Sequence, residues 1–69
     1  MATLKKGDSG ESVRSLQNHL IAFGFLRGEA DGVFGDQTEA AVMELQKASG
    51  LVADGIVGPQ TWDAMGQGF

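Results

Sequence analysis

Apolar residues recur at helical spacing in three segments of the chain, with polar residues between them. The first two apolar stripes are Val13, Leu16, Leu20 and Phe23, and Ala41, Val42, Leu45 and Ala48. In the third segment the expected inward residues are Thr61, Trp62 and Met65. Spacings of three and four residues place side chains on one face of a helix. The pattern predicts helices over about residues 11–23, 36–49 and 59–65.

Glycine marks the ends of these segments. The chain has 11 glycines among 69 residues, well above the usual share of about 7%. Gly24 and Gly50 follow the first two stripes, where a left-handed residue ends a helix. Gly10, Gly35 and Gly58 precede the three stripes at N-cap positions. We therefore expect an all-α protein, a small three-helix bundle.

An eight-residue sequence occurs twice. Residues 31–38 read Asp-Gly-Val-Phe-Gly-Asp-Gln-Thr and residues 54–61 read Asp-Gly-Ile-Val-Gly-Pro-Gln-Thr, with five of the eight positions identical. Each copy leads into a predicted helix, and Leu16-Gln17 is echoed by Leu45-Gln46. Two copies are too few for a stacked array, so we expect them to pack as a bundle with pseudo-two-fold symmetry.

The Asp-Gly loops have a structural explanation. The Asp31 carboxylate would accept nearby backbone N–H groups, and Gly32 would take a positive φ. Phe34 would enter the core, and the Thr38 hydroxyl would serve free backbone groups in the first helical turn. The loop lacks the Gly-Lys-Ser/Thr ending of a phosphate loop and the ligand ladder of a calcium loop. Because the pattern appears twice, a structural role is favoured over a ligand cradle.

Composition excludes several function classes. The formal net charge is −4 and the chain has no cysteine. Nucleic acids and anionic membrane surfaces attract basic proteins, so neither is an expected partner. No apolar run approaches the length of a membrane helix. A thiolate metal site is impossible, and we expect no cofactor and no metal.

An enzyme needs a convergent set of titratable groups, and the sequence offers none. His19 is the single histidine, and its polar neighbour Asn18 favours a place on the helix surface. Asp31 and Asp54 could in principle act as an acid–base pair. Both lie in the repeated Asp-Gly turn, which favours a structural role for them instead. Trp62 is predicted to fill the core rather than form an exposed platform for a sugar. We therefore expect a non-catalytic protein.

The motifs in order resemble the bacterial peptidoglycan-binding domain. The residues that carry this resemblance are Leu4 to Gly10, Val13, Leu16-Gln17, Leu20, Gly24-Phe25, Asp31-Gly32, Phe34-Gly35, Thr38, Ala41-Val42, Leu45-Gln46, Gly50-Leu51, Asp54-Gly55, Val57-Gly58 and Thr61-Trp62. They imply one domain over residues 4–66, followed by a tail at 67–69. One departure is Leu45, where the family often has an aromatic residue before Gln46.

The resemblance implies a monomeric module that binds peptidoglycan and anchors a covalently linked cell-wall hydrolase, as in phage endolysins. The candidate ligand-binding residues are Gln17, Arg27, Asp31, Phe34, Asp36 and Gln46. Arg27 would pair a carboxylate of the peptide stem, and Asp31 or Asp36 an amine. For Gln17 and Gln46, a structural hydrogen bond to a loop is an equally good interpretation.

Action at the cell wall, outside the cell or in the periplasm, follows from this function. The N-terminus lacks the apolar segment of a signal peptide, which suggests a phage-encoded protein or an excised domain. Three alternatives stay open. They are a protein-interaction module built on the same fold, a structural or assembly domain, and a cryptic hydrolase.

Overall fold

The computed structural model describes residues 3–66, so the expected tail at 67–69 lies outside the described residues. Three helices follow in chain order: α1 over Glu11–Ala22, α2 over Asp36–Ala48 and α3 over Pro59–Ala64. The all-α fold class and the three helices predicted from the sequence are confirmed. In the described part of the chain, no helix is long and apolar enough to cross a membrane.

The first two helices end in the same turn. Gly24 and Gly50 adopt φ values of 83° and 74°, and the next residue bonds back into the helix. Phe25 N donates to Leu20 O at 2.9 Å, and Leu51 N to Gln46 O at 2.8 Å. This six-to-one bond defines a Schellman ending. Because both helices end in this way, both Asp-Gly loops leave their helix along an equivalent path.

One hydrophobic core joins the three helices and the two repeated loops. Its buried members are Leu4, Val13, Leu16, Leu20, Leu26, Phe34, Ala41, Val42, Leu45, Val57, Trp62 and Met65. Trp62 is 3% exposed, which confirms its predicted place in the core. Burying an indole in so small a protein contributes a large share of the apolar area removed from water.

The ends of the predicted stripes on α1 and α2 are corrected by the structure. Phe23 is 48% exposed, and Ala48 is exposed as well. Phe23 is the C-cap residue of α1, and the chain turns immediately after it. Leu26, which follows the turn, is 8% exposed and belongs to the core, whereas Phe23 does not.

The segment over residues 4–10 ties the two halves together. Leu4 and Val57 exchange both backbone hydrogen bonds, at 3.0 and 2.7 Å. Further along, Phe34 N donates to Asp8 O at 2.9 Å, and Gly10 N donates to the carbonyl of the first Asp-Gly loop. The segment therefore contacts one loop at its start and the other at its end, which fixes both loops against the core.

Candidate functional site

Gln17 on α1 organises the first Asp-Gly loop. Its side chain is 2% exposed, and its Oε1 accepts a hydrogen bond from Gly32 N at 2.7 Å. Its Nε2 donates to Asp31 Oδ1 at 2.9 Å, to Val33 O at 2.9 Å and to Thr38 Oγ1 at 3.0 Å. The amide has two hydrogens for these three acceptors, so at least one hydrogen is shared between two acceptors.

Gln46 on α2 makes the same contacts with the second loop. It is also 2% exposed, and its Oε1 accepts from Gly55 N at 3.0 Å. Its Nε2 donates to Asp54 Oδ1 at 3.1 Å, to Ile56 O at 2.9 Å and to Thr61 Oγ1 at 3.2 Å. The pseudo-two-fold repeat predicted from the sequence is therefore present at the level of individual atoms.

Each of the two aspartates, Asp31 and Asp54, closes its own turn with a single carboxylate oxygen. Val33 N donates to Asp31 Oδ1 at 3.0 Å, and Ile56 N donates to Asp54 Oδ1 at 2.9 Å. The bond from Val33, followed by the bond from Gln17, lowers the pKa of Asp31 below its ordinary value of 3.8. Asp31 is exposed, and Oδ2 takes no part in these bonds. A ligand can therefore meet an ionised oxygen here without disturbing the turn.

The structure separates the residues that the sequence singled out as ligand-binding. Phe34 is 1% exposed, so its ring belongs to the core and does not offer a surface to a ligand. Gln17 and Gln46 hold loops, and their polar atoms are occupied by loop groups. The threonine hydroxyls accept bonds from these glutamines, a role different from the expected service to free backbone groups. Arg27, Asp31 and Asp36 remain as exposed candidates.

These three exposed residues share a groove between α2 and the preceding loop, which we call the first groove. It consists of two cavities of about 270 and 200 Å³ that have Leu26, Arg27 and Gln37 in common. The lining residues are Gln17, Phe25, Leu26, Arg27, Glu29, Asp31, Val33, Gly35, Asp36, Gln37, Thr38, Ala40, Ala41 and Glu44. One guanidinium thus lies among several carboxylates.

Asp36 is also joined to the N-terminal segment. Its carboxylate forms an ion pair with the ammonium of Lys6, and both side chains are largely exposed. The hydrogen bond and the charge of Lys6 lower the pKa of Asp36, and the same pair raises the pKa of Lys6. A ligand amine that reaches Asp36 would compete with Lys6 for this carboxylate.

A second groove lies at the equivalent place in the other half of the protein. Its cavity has a volume of about 380 Å³ and is lined by Gln46, Leu51, Val52, Asp54, Ile56, Gly58, Pro59, Gln60 and Thr61. Ile56 replaces Val33 of the first copy, and Pro59 replaces Asp36. The repeat could have located this groove from the sequence, but its apolar loop residues were assigned to no site.

His19 lies partly buried on α1. Its Nδ1 is 2.8 Å from Ser15 O, and its ring meets Trp62 edge to face with 6.3 Å between centroids. These two contacts give His19 a structural role in the fold. Within residues 3–66, no group of three or more histidine, cysteine, aspartate or glutamate side chains is placed to hold a metal ion.

Comparison with known proteins places these features in a family. Residues 9–65 match the family described as "Putative peptidoglycan binding domain". A "Probable N-acetylmuramoyl-L-alanine amidase" of Bacillus licheniformis is 52% identical over 64 residues, which are 90% of this chain and 18% of the amidase. The chain thus spans less than a fifth of the length of this curated relative.

Solved structures show the same arrangement. The SleB N-terminal domain superposes with a TM-score of 0.91 at 38% identity, covering 96% of this chain and 90% of that one. The Burkholderia AP3 phage endolysin superposes with a TM-score of 0.88 at 48% identity, covering 93% of this chain and 24% of the endolysin. By sequence and by fold, the chain belongs to the peptidoglycan-binding domain family.

Proposed function

We propose that this chain binds bacterial cell-wall peptidoglycan and keeps an attached hydrolase on that substrate. The family match over residues 9–65 carries the proposal. The relatives include proteins named as an amidase and an endolysin, in which the matched region is 18% and 24% of the whole. The rest of each relative has room for a separate catalytic domain, so we assign catalysis to that domain and binding to this one.

The first groove suits the peptide stems of the polymer. These stems carry free carboxylates and, where a diamino acid is present, a free amine. Arg27 offers a planar cation for a carboxylate. The ionised Asp31 and Asp36 offer anions for the amine. Charge-assisted hydrogen bonds of this kind are roughly twice as strong as neutral ones, so a few of them would position a stem along the groove.

This module binds through short-range contacts, and attachment to a second domain increases its apparent affinity. The net charge of −4 gives no long-range attraction to an anionic wall. A single monomeric module with a shallow groove has modest affinity. Connection to a second domain on the same polymer raises the effective concentration of each for its site. The site of action is the cell wall, outside the cell or in the periplasm.

Sedimentation with insoluble peptidoglycan sacculi tests the proposal. The purified protein is mixed with sacculi, with chitin or with cellulose, and the pelleted fraction is measured over a concentration series. We expect saturable pelleting with sacculi and much less with the two control polymers. If the folded protein stays in the supernatant with sacculi at high micromolar concentration, the proposal is wrong and the fold serves a protein partner instead.

A further inference from the structure

We infer that the second groove is a subsite for the neutral N-acetylated sugars of the glycan strand, while the first groove takes the charged stem. This inference rests on the proposed function, which it extends to a second site. It assigns one part of the polymer to each half of the internal repeat.

One wall of the second groove consists of apolar side chains that are exposed to water. Val52 is 79% exposed and Ile56 is 43% exposed, and Leu51 and Pro59 continue the same wall. Apolar side chains gain free energy when a ligand removes them from water, in proportion to the area covered. The C–H faces of a pyranose ring and the methyl group of an acetamide supply matching apolar surface.

The polar groups in this groove are two amides, a hydroxyl and one carboxylate, which suit ligand hydroxyls and amides rather than ligand carboxylates. Gln60 is exposed at the wall, and its amide both donates and accepts. Asp54 is the acidic residue among the lining side chains, and its Oδ1 is engaged by Gln46 and by the N–H of Ile56. Its Oδ2 stands outside these bonds and can accept from a sugar hydroxyl. No basic residue lines the cavity, so nothing there would hold a carboxylate.

The difference between the two copies points in the same direction. Asp36 of the first groove is replaced by Pro59 in the second. The longer loop of the first copy carries Arg27 and Glu29, whereas the shorter second loop carries Val52 and Ala53. The two grooves therefore share a frame but differ in charge, because Arg27, Glu29 and Asp36 of the first groove have no charged counterpart in the second. In peptidoglycan the charges belong to the stems, and the amide-linked disaccharide is neutral.

The size of the second groove agrees with a sugar ligand. Its cavity of about 380 Å³ lies at the lower end of the range for small-molecule sites, roughly 300–1,000 Å³. Gln46 and Thr61 form its floor, and both are buried and hydrogen-bonded. These two side chains are held by their hydrogen bond before any ligand enters the groove.

An NMR titration of the isotope-labelled protein with two separate ligands tests the assignment. One ligand is the disaccharide N-acetylglucosaminyl-N-acetylmuramic acid with its lactyl carboxyl amidated, and the other is the free stem peptide. We expect the disaccharide to shift backbone amides over residues 51–61, and the peptide to shift those over 27–38. The double variant V52T/I56T should weaken disaccharide binding about fivefold, because it removes apolar contact area. Phe23→Ala removes exposed apolar surface outside both grooves and should leave that affinity unchanged.

Sedimentation with sacculi, run on the same samples, separates the two levels of the proposal. If sacculi pellet the protein but the disaccharide shifts only residues 27–38, or shifts none, the sugar subsite is wrong and wall binding stands. If sacculi fail to pellet the protein and the disaccharide also produces no shift, both are wrong. Disaccharide shifts confined to 51–61 and reduced by V52T/I56T support the subsite, whatever the result with sacculi.

Discussion

Gln17 and Gln46 occupy equivalent positions on two different helices and hold two different loops with the same four contacts. Each accepts from a glycine N–H, at 2.7 Å for Gln17 and 3.0 Å for Gln46. Both side chains are buried at 2% exposure. A buried amide that satisfies a buried N–H in this way fixes the loop to the helix, because a displaced loop would leave the buried glutamine amide without these partners.

Replacing Gln46 by leucine should destabilise the protein. Leucine fills similar volume but leaves Gly55 N–H and Thr61 Oγ1 without this partner. Each unsatisfied buried group costs about 1–3 kcal/mol, so we expect the two groups together to cost about 2–6 kcal/mol. The total free energy of unfolding of a domain of this size is only about 3–5 kcal/mol. Circular dichroism during urea and thermal unfolding would measure the change.

Asn18→Leu provides the matched control, because it also converts an amide to leucine but at an exposed position on α1. It should change the free energy of unfolding by about 0.5 kcal/mol or less. Gln17→Leu should behave like Gln46→Leu, since its contacts are equivalent. Equal stabilities of Gln46→Leu and Asn18→Leu would contradict the role given to the buried amides.

The pKa of Asp31 predicts a dependence of stability on pH. The folded-state pKa is lowered from 3.8, first by Val33 N–H and then by Gln17. A lowered pKa means that the carboxylate stabilises the fold fully above the unfolded-state value, and that this contribution is lost as the pH falls through the folded value. The midpoint temperature of thermal unfolding should therefore decrease as the pH is lowered below 3.8. The decrease should be smaller in Asp31→Asn than in the parent protein.

Asp63→Asn is the control for this experiment, because it removes the same charge from an exposed position on α3. Its melting profile should follow that of the parent protein in acid. Asp36→Asn should remove a separate part of the acid sensitivity, since Lys6 lowers the pKa of Asp36 as well. A profile of Asp31→Asn that matches the parent below pH 3.8 would refute the assignment.

Gly55 faces two constraints that can be measured apart. Its φ is 76°, and a Cβ at this position would lie 2.9 Å from Glu39 Cγ. Gly55→Ala should therefore cost about 1–2 kcal/mol for the left-handed backbone, plus the cost of displacing Glu39. Gly24 has a φ of 83°, and a Cβ added there would meet no atom within 4 Å. Gly24→Ala should therefore show the backbone cost alone. Adding Glu39→Ala should bring the cost of Gly55→Ala close to that of Gly24→Ala, as judged by urea unfolding.

Local rules predicted most of the fold. Glycine stops and apolar spacing placed the three helices within about two residues. The same rules assigned Phe23 to the core, because a helical pattern cannot show that the chain turns immediately after it. They also missed the bonds between residues 4–10 and the two loops, since single backbone pairs between distant segments leave no periodic signal.

The candidate site was predicted less completely than the fold. Gln17 and Gln46 were recognised from the repeat, but the sequence could not show whether an amide points toward a loop or into a groove. Arg27 and Asp31 were assigned by charge alone, and their shared groove depends on how the loop folds back over α2. The apolar second groove was missed because Val52 and Ile56, seen in the sequence, are indistinguishable from core residues.

Arg27→Ala tests the charged groove directly. Arg27 is exposed, so its removal should leave the unfolding midpoint nearly unchanged while weakening pelleting with sacculi. Hydrogen bonds to charged groups contribute about 1.5–3 kcal/mol, which corresponds to roughly a tenfold loss of affinity or more. Lys47→Ala removes the same charge from an exposed position of α2 that lines neither groove, so it isolates the effect of net charge. If both variants pellet with equal affinity, Arg27 makes no specific contact, and stem recognition by the first groove is wrong.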